Sequence, residues 1–242
     1  MSPRADRRSV WRLAVEAEGR WILLHLWRLL VATGGEIRRR PWLTAGLLIA
    51  TVGLGGLSLA FDASADAWLL AQGETDTLLR LIARWFRTFG AFTDVLTWSV
   101  LLYVVGRVLR RDRWRRLGLA CLLAASLAGV VANLFRPTIG RARPDANVGP
   151  YSVVGPSSDY SRQSMPSGHT ATTAAGGTVL LILAPPIGIV TTANAALVGW
   201  SSGRLRRHWP SDIIAGFALG LATAVLVGLA WRRLERDGSW PS

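Results

Sequence analysis

Three stretches of the chain, 43–61, 117–135 and 213–231, each run nineteen residues without a charged side chain. A helix needs about 20 mostly apolar residues to cross the roughly 30 Å hydrocarbon core of a bilayer. The spacing therefore predicts an all-α chain, a polytopic helical bundle in a membrane. Half of the 242 residues are hydrophobic, a fraction soluble proteins also reach, so distribution rather than total decides the class.

The formal charge of +13 would suggest nucleic acid in a soluble domain. Here all 28 basic residues are arginine, and they sit largely between the apolar runs and at the N-terminus. The expected partner is the lipid bilayer, with no nucleic acid. The lone Cys121 lies in an apolar run, which excludes an intrachain disulfide. Met1 to Arg40 has no uninterrupted apolar core followed by a small-residue cleavage site, so no cleavable signal peptide is expected.

Residues 1–40 carry nine arginines, and their apolar stretch Trp21 to Ala32 is short and broken by His25 and Arg28. They are expected to form a cytoplasmic basic amphipathic segment on the membrane surface. A membrane domain is expected over 41–232, with about six transmembrane helices near 43–61, 88–106, 117–135, His169 to Pro185-Pro186, 187–203 and 213–231. Residues 62–90 read as an interfacial amphipathic helix, and 233–242 as a cytoplasmic tail. With both termini inside, the segments 1–40, 107–116 and 232–242 hold nine, six and three arginines. That bias matches the positive-inside rule and puts the polar clusters described next on the outer face, in a bacterial inner membrane. Asp94, about six residues into the second span, is either a functional or pairing group or an interfacial carboxylate that reaches water.

Three polar clusters interrupt the second half of the chain. The first, Arg136 to Pro144, places Arg136, Arg141 and Arg143 within eight residues. Guanidinium forks suit phosphate oxygens, and a juxtamembrane patch for anionic lipid has the same composition. The second is Pro166-Ser167-Gly168-His169 at the start of an apolar helix. Ser167 can cap that helix and Gly168 lets an anion approach the backbone, while a plain helix start would look the same. The third runs from His208 to Asp212, four residues apart. On one helical turn the two are neighbours, as an activated histidine or as a helix cap with an ion pair. Metal ligation is disfavoured among so many arginines.

Together the clusters resemble the type 2 phosphatidic acid phosphatase superfamily, which also includes the vanadium haloperoxidases. The family pattern is Lys, six residues, Arg-Pro; then Pro-Ser-Gly-His; then Ser-Arg, five residues, His, three residues, Asp. The second element is complete at 166–169. Arg136 with Arg143-Pro144 matches the first, and Ser201, His208 and Asp212 match the third. Two positions depart: Arg136 stands for lysine in a chain that has none, and Ser202 stands for the arginine. Arg204, two residues on, is the expected substitute, with Arg206 and Arg207 behind it.

The resemblance implies that His208 attacks phosphorus to give a phosphohistidine while Asp212 orients it. His169 would protonate the leaving group and then activate water. Arg136, Arg143, Ser167, the Gly168 amide and Arg204 would hold the phosphoryl oxygens. Arg141 would contact a headgroup, and no metal or cofactor is implied. The expectation is a metal-independent membrane phosphatase acting on a lipid phosphate or diphosphate of the phosphatidate, phosphatidylglycerol phosphate, undecaprenyl diphosphate or lipid A type. A lipid phosphotransferase using the same intermediate and a non-catalytic anionic-lipid-binding protein are the alternatives.

Overall fold

The structure, a computed structural model, describes residues 7–71, 77–90 and 92–241. Among the described residues nine helices follow one another: α1 (Arg7–Arg39), α2 (Pro41–Ser58), α3 (Asp62–Ala71), α4 (Thr77–Phe89), α5 (Phe92–Val108), α6 (Asp112–Ile139), α7 (Gly168–Leu183), α8 (Pro185–Arg204) and α9 (Pro210–Arg236). No strand occurs among the described residues, and a single antiparallel bridge joins Arg141 to Val153. Pro41 and Pro210 each open a helix at a position where a missing N–H costs nothing. Gly140 closes α6 in the left-handed conformation, φ 65°, and its N–H returns to the Arg136 carbonyl.

The bundle is built around α7, which packs against α6, α8 and α9. Thirteen of its sixteen residues are buried, so it is nearly enclosed and needs no amphipathic stripe. Its Thr, Ala and Gly residues let neighbours approach closely. A Cβ on Gly220 of α9 would lie 2.6 Å from the Ala171 carbonyl oxygen, and one on Gly216 would lie 2.5 Å from that of Ser167.

By length and composition three segments can cross a membrane: Pro41–Ala71, α6 and α9. The pair α4 and α5, bent by 58°, is a fourth if it counts as one span. At about 1.5 Å per residue α7 is roughly 24 Å long, short for an independent span. Its ends nevertheless reach the two levels that α6 and α9 define. The start lies against Arg136 at the end of α6, while the Leu183 and Ile182 carbonyls accept bonds from Arg113 and Arg232, at the far ends of α6 and α9. The sequence boundaries also move: α6 continues past 135 through Arg136, and α9 starts at Pro210.

The segment expected as one interfacial helix over 62–90 is two, α3 and α4; Glu74 and Asp76 between them lie outside the described residues. The N-terminal segment is helical as expected, but α1 is docked rather than merely laid on lipid. His25, Leu29, Ala32, Thr33 and Glu36 form a buried stripe at helical spacing toward the bundle, with α9 and α6 as its main partners. Glu36 pairs with Arg233 at 3.2 Å and Glu18 with Arg115 at 2.6 Å, and the Arg115 guanidinium stacks over Trp21.

Candidate active site

The three polar clusters meet where α6 and α8 end and α7 and α9 begin, and Asp212 is the group that joins them. Its carboxylate accepts from Arg141 of the first cluster at 2.6 Å, from Ser164 Oγ just ahead of the second at 2.5 Å, and from the Trp209 N–H at 2.9 Å. Its backbone carbonyl accepts the Ser167 N–H at 2.9 Å. Asp212 sits at the N3 position of α9, so the bond to Trp209 is also a helix cap.

His208 is not on that helix. It precedes α9, in the turn after α8, so the expected one-turn contact with Asp212 gives way to another arrangement. The ring Nδ1 donates to the Ser164 carbonyl at 2.8 Å, whereas Asp212 Oδ2 lies 3.9 Å away, beyond hydrogen-bond range. With the proton held on Nδ1, the other ring nitrogen keeps its lone pair. That Nε2 atom is buried and has no hydrogen-bond partner among the described residues. Burial pushes the His208 pKa down, the nearby Asp212 carboxylate pulls it up, and the guanidinium groups of Arg143 and Arg87 push it down again; the balance falls below the ordinary imidazole value.

Cations surround the two histidines. The Arg136 guanidinium lies against Gly168, where a Cβ would come within 2.9 Å of its Nη2. Arg136 also donates to Asn133. Arg143 is buried and held by three backbone carbonyls, those of Tyr160 at 3.0 Å, Arg207 at 3.1 Å and Gln163 at 3.0 Å, with its guanidinium stacked over the Tyr160 ring. Carbonyls position it without neutralising it. Arg87, Arg136 and Arg143 are the cations close enough to act on the His169 ring. The N–H groups of Gly168 and His169 open α7 and have no helical acceptor four residues back, so they present positive ends to the same space. Ser167 is at the N-cap position as expected, but its hydroxyl pairs with the Thr170 hydroxyl at 3.0 Å rather than with a backbone N–H.

Two expected site residues are elsewhere. Arg141 is 1% exposed and saturated: it bonds Asp62 and Asp212 at 2.6 Å each, Ser211 Oγ at 2.6 Å and the Pro150 carbonyl. It is a buried strut and not a headgroup contact. Arg204 lines a cavity of about 240 Å³ with Leu69, Leu70, Arg80 and Asp145. Residues two apart on a helix point to nearly opposite sides, so Arg204 faces away from Ser202. Arg206 and Arg207 are engaged by Asp66 at 3.0 Å and Asp145 at 2.9 Å.

Three contributors were missed. Asp62, which looked like a span boundary, is fully buried and takes bonds from Arg141, the Ser211 N–H and Ser211 Oγ. Ser164 holds His208 through its carbonyl and Asp212 through its hydroxyl. Arg87 of α4 reaches Ser202, donating to its Oγ at 3.3 Å. Asp94 has a simpler place, accepting from Asn194 at 3.1 Å. Among the described residues no three His, Cys, Asp or Glu side chains are grouped to hold a metal ion.

A family model described as the PAP2 superfamily matches residues 117–236. A lipid A 1-phosphatase of Rhizobium etli is 28% identical over 80% of this chain and 90% of its own length. One of Rhizobium johnstonii is 30% identical over 63% of this chain and 70% of its own. A crystal structure of a transmembrane PAP2 type phosphatidylglycerolphosphate phosphatase from Bacillus subtilis superposes with a TM-score of 0.61, at 24% identity, over 80% of this chain and 98% of that one. The last likeness bears on the fold alone.

Proposed function

The chain belongs to the PAP2 superfamily, and from that membership we propose that it is an integral membrane phosphatase that removes phosphate from a lipid headgroup through a phosphohistidine at His208. The observation that carries this reading is the His208 ring itself: one nitrogen is tied to the Ser164 carbonyl, and the other is buried, unpartnered and surrounded by arginine charge.

The geometry supports the following chemistry. His208 Nε2 attacks phosphorus, an N–P bond forms, and the bond from phosphorus to the lipid oxygen breaks. His169 gives the departing oxygen its proton, then takes one from a water that attacks phosphorus and breaks the N–P bond. Arg136, Arg143 and the amides of Gly168 and His169 hold the phosphoryl oxygens as charge shifts onto them, with Ser167 beneath. Asp212 acts one step back, through Ser164. Fixed guanidinium and amide donors supply the charge stabilisation that a metal would otherwise give, so metal independence is part of the proposal.

Among lipid phosphates, the lipid A type is favoured by the two rhizobial relatives and their coverage. The arginine bias of the loops supports an outward-facing site with both termini cytoplasmic in a bacterial inner membrane. Six crossings are supported by the level at which α7 ends, beside Arg113 and Arg232.

The test is phosphate release by the purified protein from lipid A and from diacyl and polyprenyl phosphates, with EDTA present. Release by wild type and its loss in His208→Ala are expected. Equal silence of both across the panel would overturn the reading, and phosphate recovered on a second lipid instead of in solution would indicate a transferase.

A further inference from the structure

We infer that Arg87, on α4 and outside all three sequence clusters, is the phosphate-clamping cation that takes the place of the arginine missing at Ser202. The inference deepens the phosphatase reading and rests on it.

Ser202 is fully buried, and its hydroxyl donates to the Val198 carbonyl at 3.0 Å while accepting from Arg87 Nη1 at 3.3 Å. A serine at this point leaves unfilled the space a longer side chain from α8 would take, and the Arg87 guanidinium enters it from the neighbouring helix. One turn earlier on the same face of α8, Val198 is packed so tightly on Gly90 that no Cβ could fit at that glycine. The C-terminal end of α4 is thus pinned beside Ser202 by two separate contacts, one apolar and one polar.

The cation is also in the right electrostatic company. Arg87 is among the charges felt at both the His169 and the His208 rings, together with Arg143. Its one hydrogen bond among the described residues is to a neutral hydroxyl, so no described carboxylate is hydrogen-bonded to it and most of its five N–H donors remain available. Arg204, by contrast, faces the other cavity.

Arg87 continues outward as well. Arg80, Arg84 and Arg87 recur at helical spacing on α4, and with Thr88, Leu205 and Arg207 they line a cavity of about 360 Å³ beside the site. An anionic headgroup entering there meets Arg87 last, next to the two histidines.

The experiment is a titration of inorganic phosphate into the full chain in detergent by isothermal calorimetry. Wild type, Arg87→Ala, Arg87→Lys and the double variant Arg87→Ala/Ser202→Arg are compared, with helicity checked by circular dichroism. Loss of charge-assisted hydrogen bonds should weaken phosphate binding in Arg87→Ala by about tenfold or more. Restoration in the double variant is expected, because the new arginine reaches the same oxygens from α8. If Arg87→Ala does not fold, Arg87→Lys decides, and weaker binding than wild type is the expected result. Wild-type affinity in the folded Arg87→Ala protein, or in Arg87→Lys where that variant decides, would overturn the assignment. Arg87-dependent phosphate binding by a protein that releases no phosphate from any lipid would keep the clamp and sink the phosphatase reading. Turnover that needs His208 alongside binding indifferent to Arg87 would do the reverse.

Discussion

The Ser164 carbonyl stands 2.8 Å from the His208 ring nitrogen, and the same residue's hydroxyl stands 2.5 Å from the Asp212 carboxylate. Ser164 therefore passes the position of Asp212 on to His208. The two halves of that relay can be separated. Ser164→Ala keeps the carbonyl and removes the hydroxyl, so stability should fall by about 1–3 kcal/mol while turnover falls less than about tenfold. Thermal unfolding in detergent and initial rates on one lipid phosphate check both numbers. Lost turnover at an unchanged melting temperature would instead put the hydroxyl in the chemistry.

Arg141 bridges two buried carboxylates, Asp62 and Asp212. Removing it leaves both without their cation, and breaking a buried pair in this way costs about 3–5 kcal/mol. Arg141→Ala is expected to reduce folded yield sharply. Arg141→Lys should not restore it, since an ammonium cannot reproduce the planar fork that bonds both acids. Normal melting of Arg141→Lys would contradict this account.

In the proposed mechanism His208 must be neutral to attack, and its pKa lies below the ordinary 6.5 because burial and the nearby arginines outweigh Asp212. The acidic limb of kcat/KM should therefore lie below pH 6.5, and Arg87→Ala should move it upward by removing one of those charges. Stability follows the same sign. Below about pH 6.5 the unfolded chain takes up a proton that folded His208 refuses, so this contribution is present above that pH and is lost as pH falls toward the folded value. A limb unmoved by Arg87→Ala would place Arg87 too far from the ring.

If His169 is the proposed proton donor to the leaving oxygen, it should matter in proportion to how badly the leaving group needs a proton. His169→Gln is expected to cost about 10²–10⁴ in rate on an alkyl phosphate. On an aryl phosphate with an acidic phenol the loss should be far smaller. Equal losses on both would remove His169 from that role.

Gly216 is where α9 meets the backbone of the second cluster, with room for no Cβ beside the Ser167 carbonyl. Gly216→Ala should cost about 1–3 kcal/mol through overpacking. It should also lower kcat, because the carbonyl it displaces belongs to the residue that starts α7. A melting temperature equal to wild type would show that the helices part without strain.

The charge-free runs and the three clusters were legible because each is local: nineteen apolar residues or five polar ones carry their meaning without neighbours. Arg87 and Asp62 were not. Their decisive partners lie 115 and 149 residues away, and an arginine on an amphipathic helix or an aspartate at the end of a span reads as ordinary boundary chemistry. Ser164 was silent for another reason. It grips His208 through a backbone carbonyl, which every residue has. Arg204 misled because nearness in sequence was taken for nearness in space, though two steps along a helix turn a side chain to the opposite side. The brevity of α7 reflects its central place: a helix walled by protein on all sides can be short and rich in Thr and Gly.

Arg143 is gripped by three peptide carbonyls, and among the described residues no carboxylate hydrogen-bonds to its guanidinium. Such a charge is permanent, because a guanidinium does not lose its proton in the working pH range. In the proposed mechanism, the attraction that draws a lipid headgroup down to His208 is equally present for the free phosphate left behind. A phosphatase so built would work against its own exhaust, its turnover depending on water and salt reaching in to carry that phosphate away.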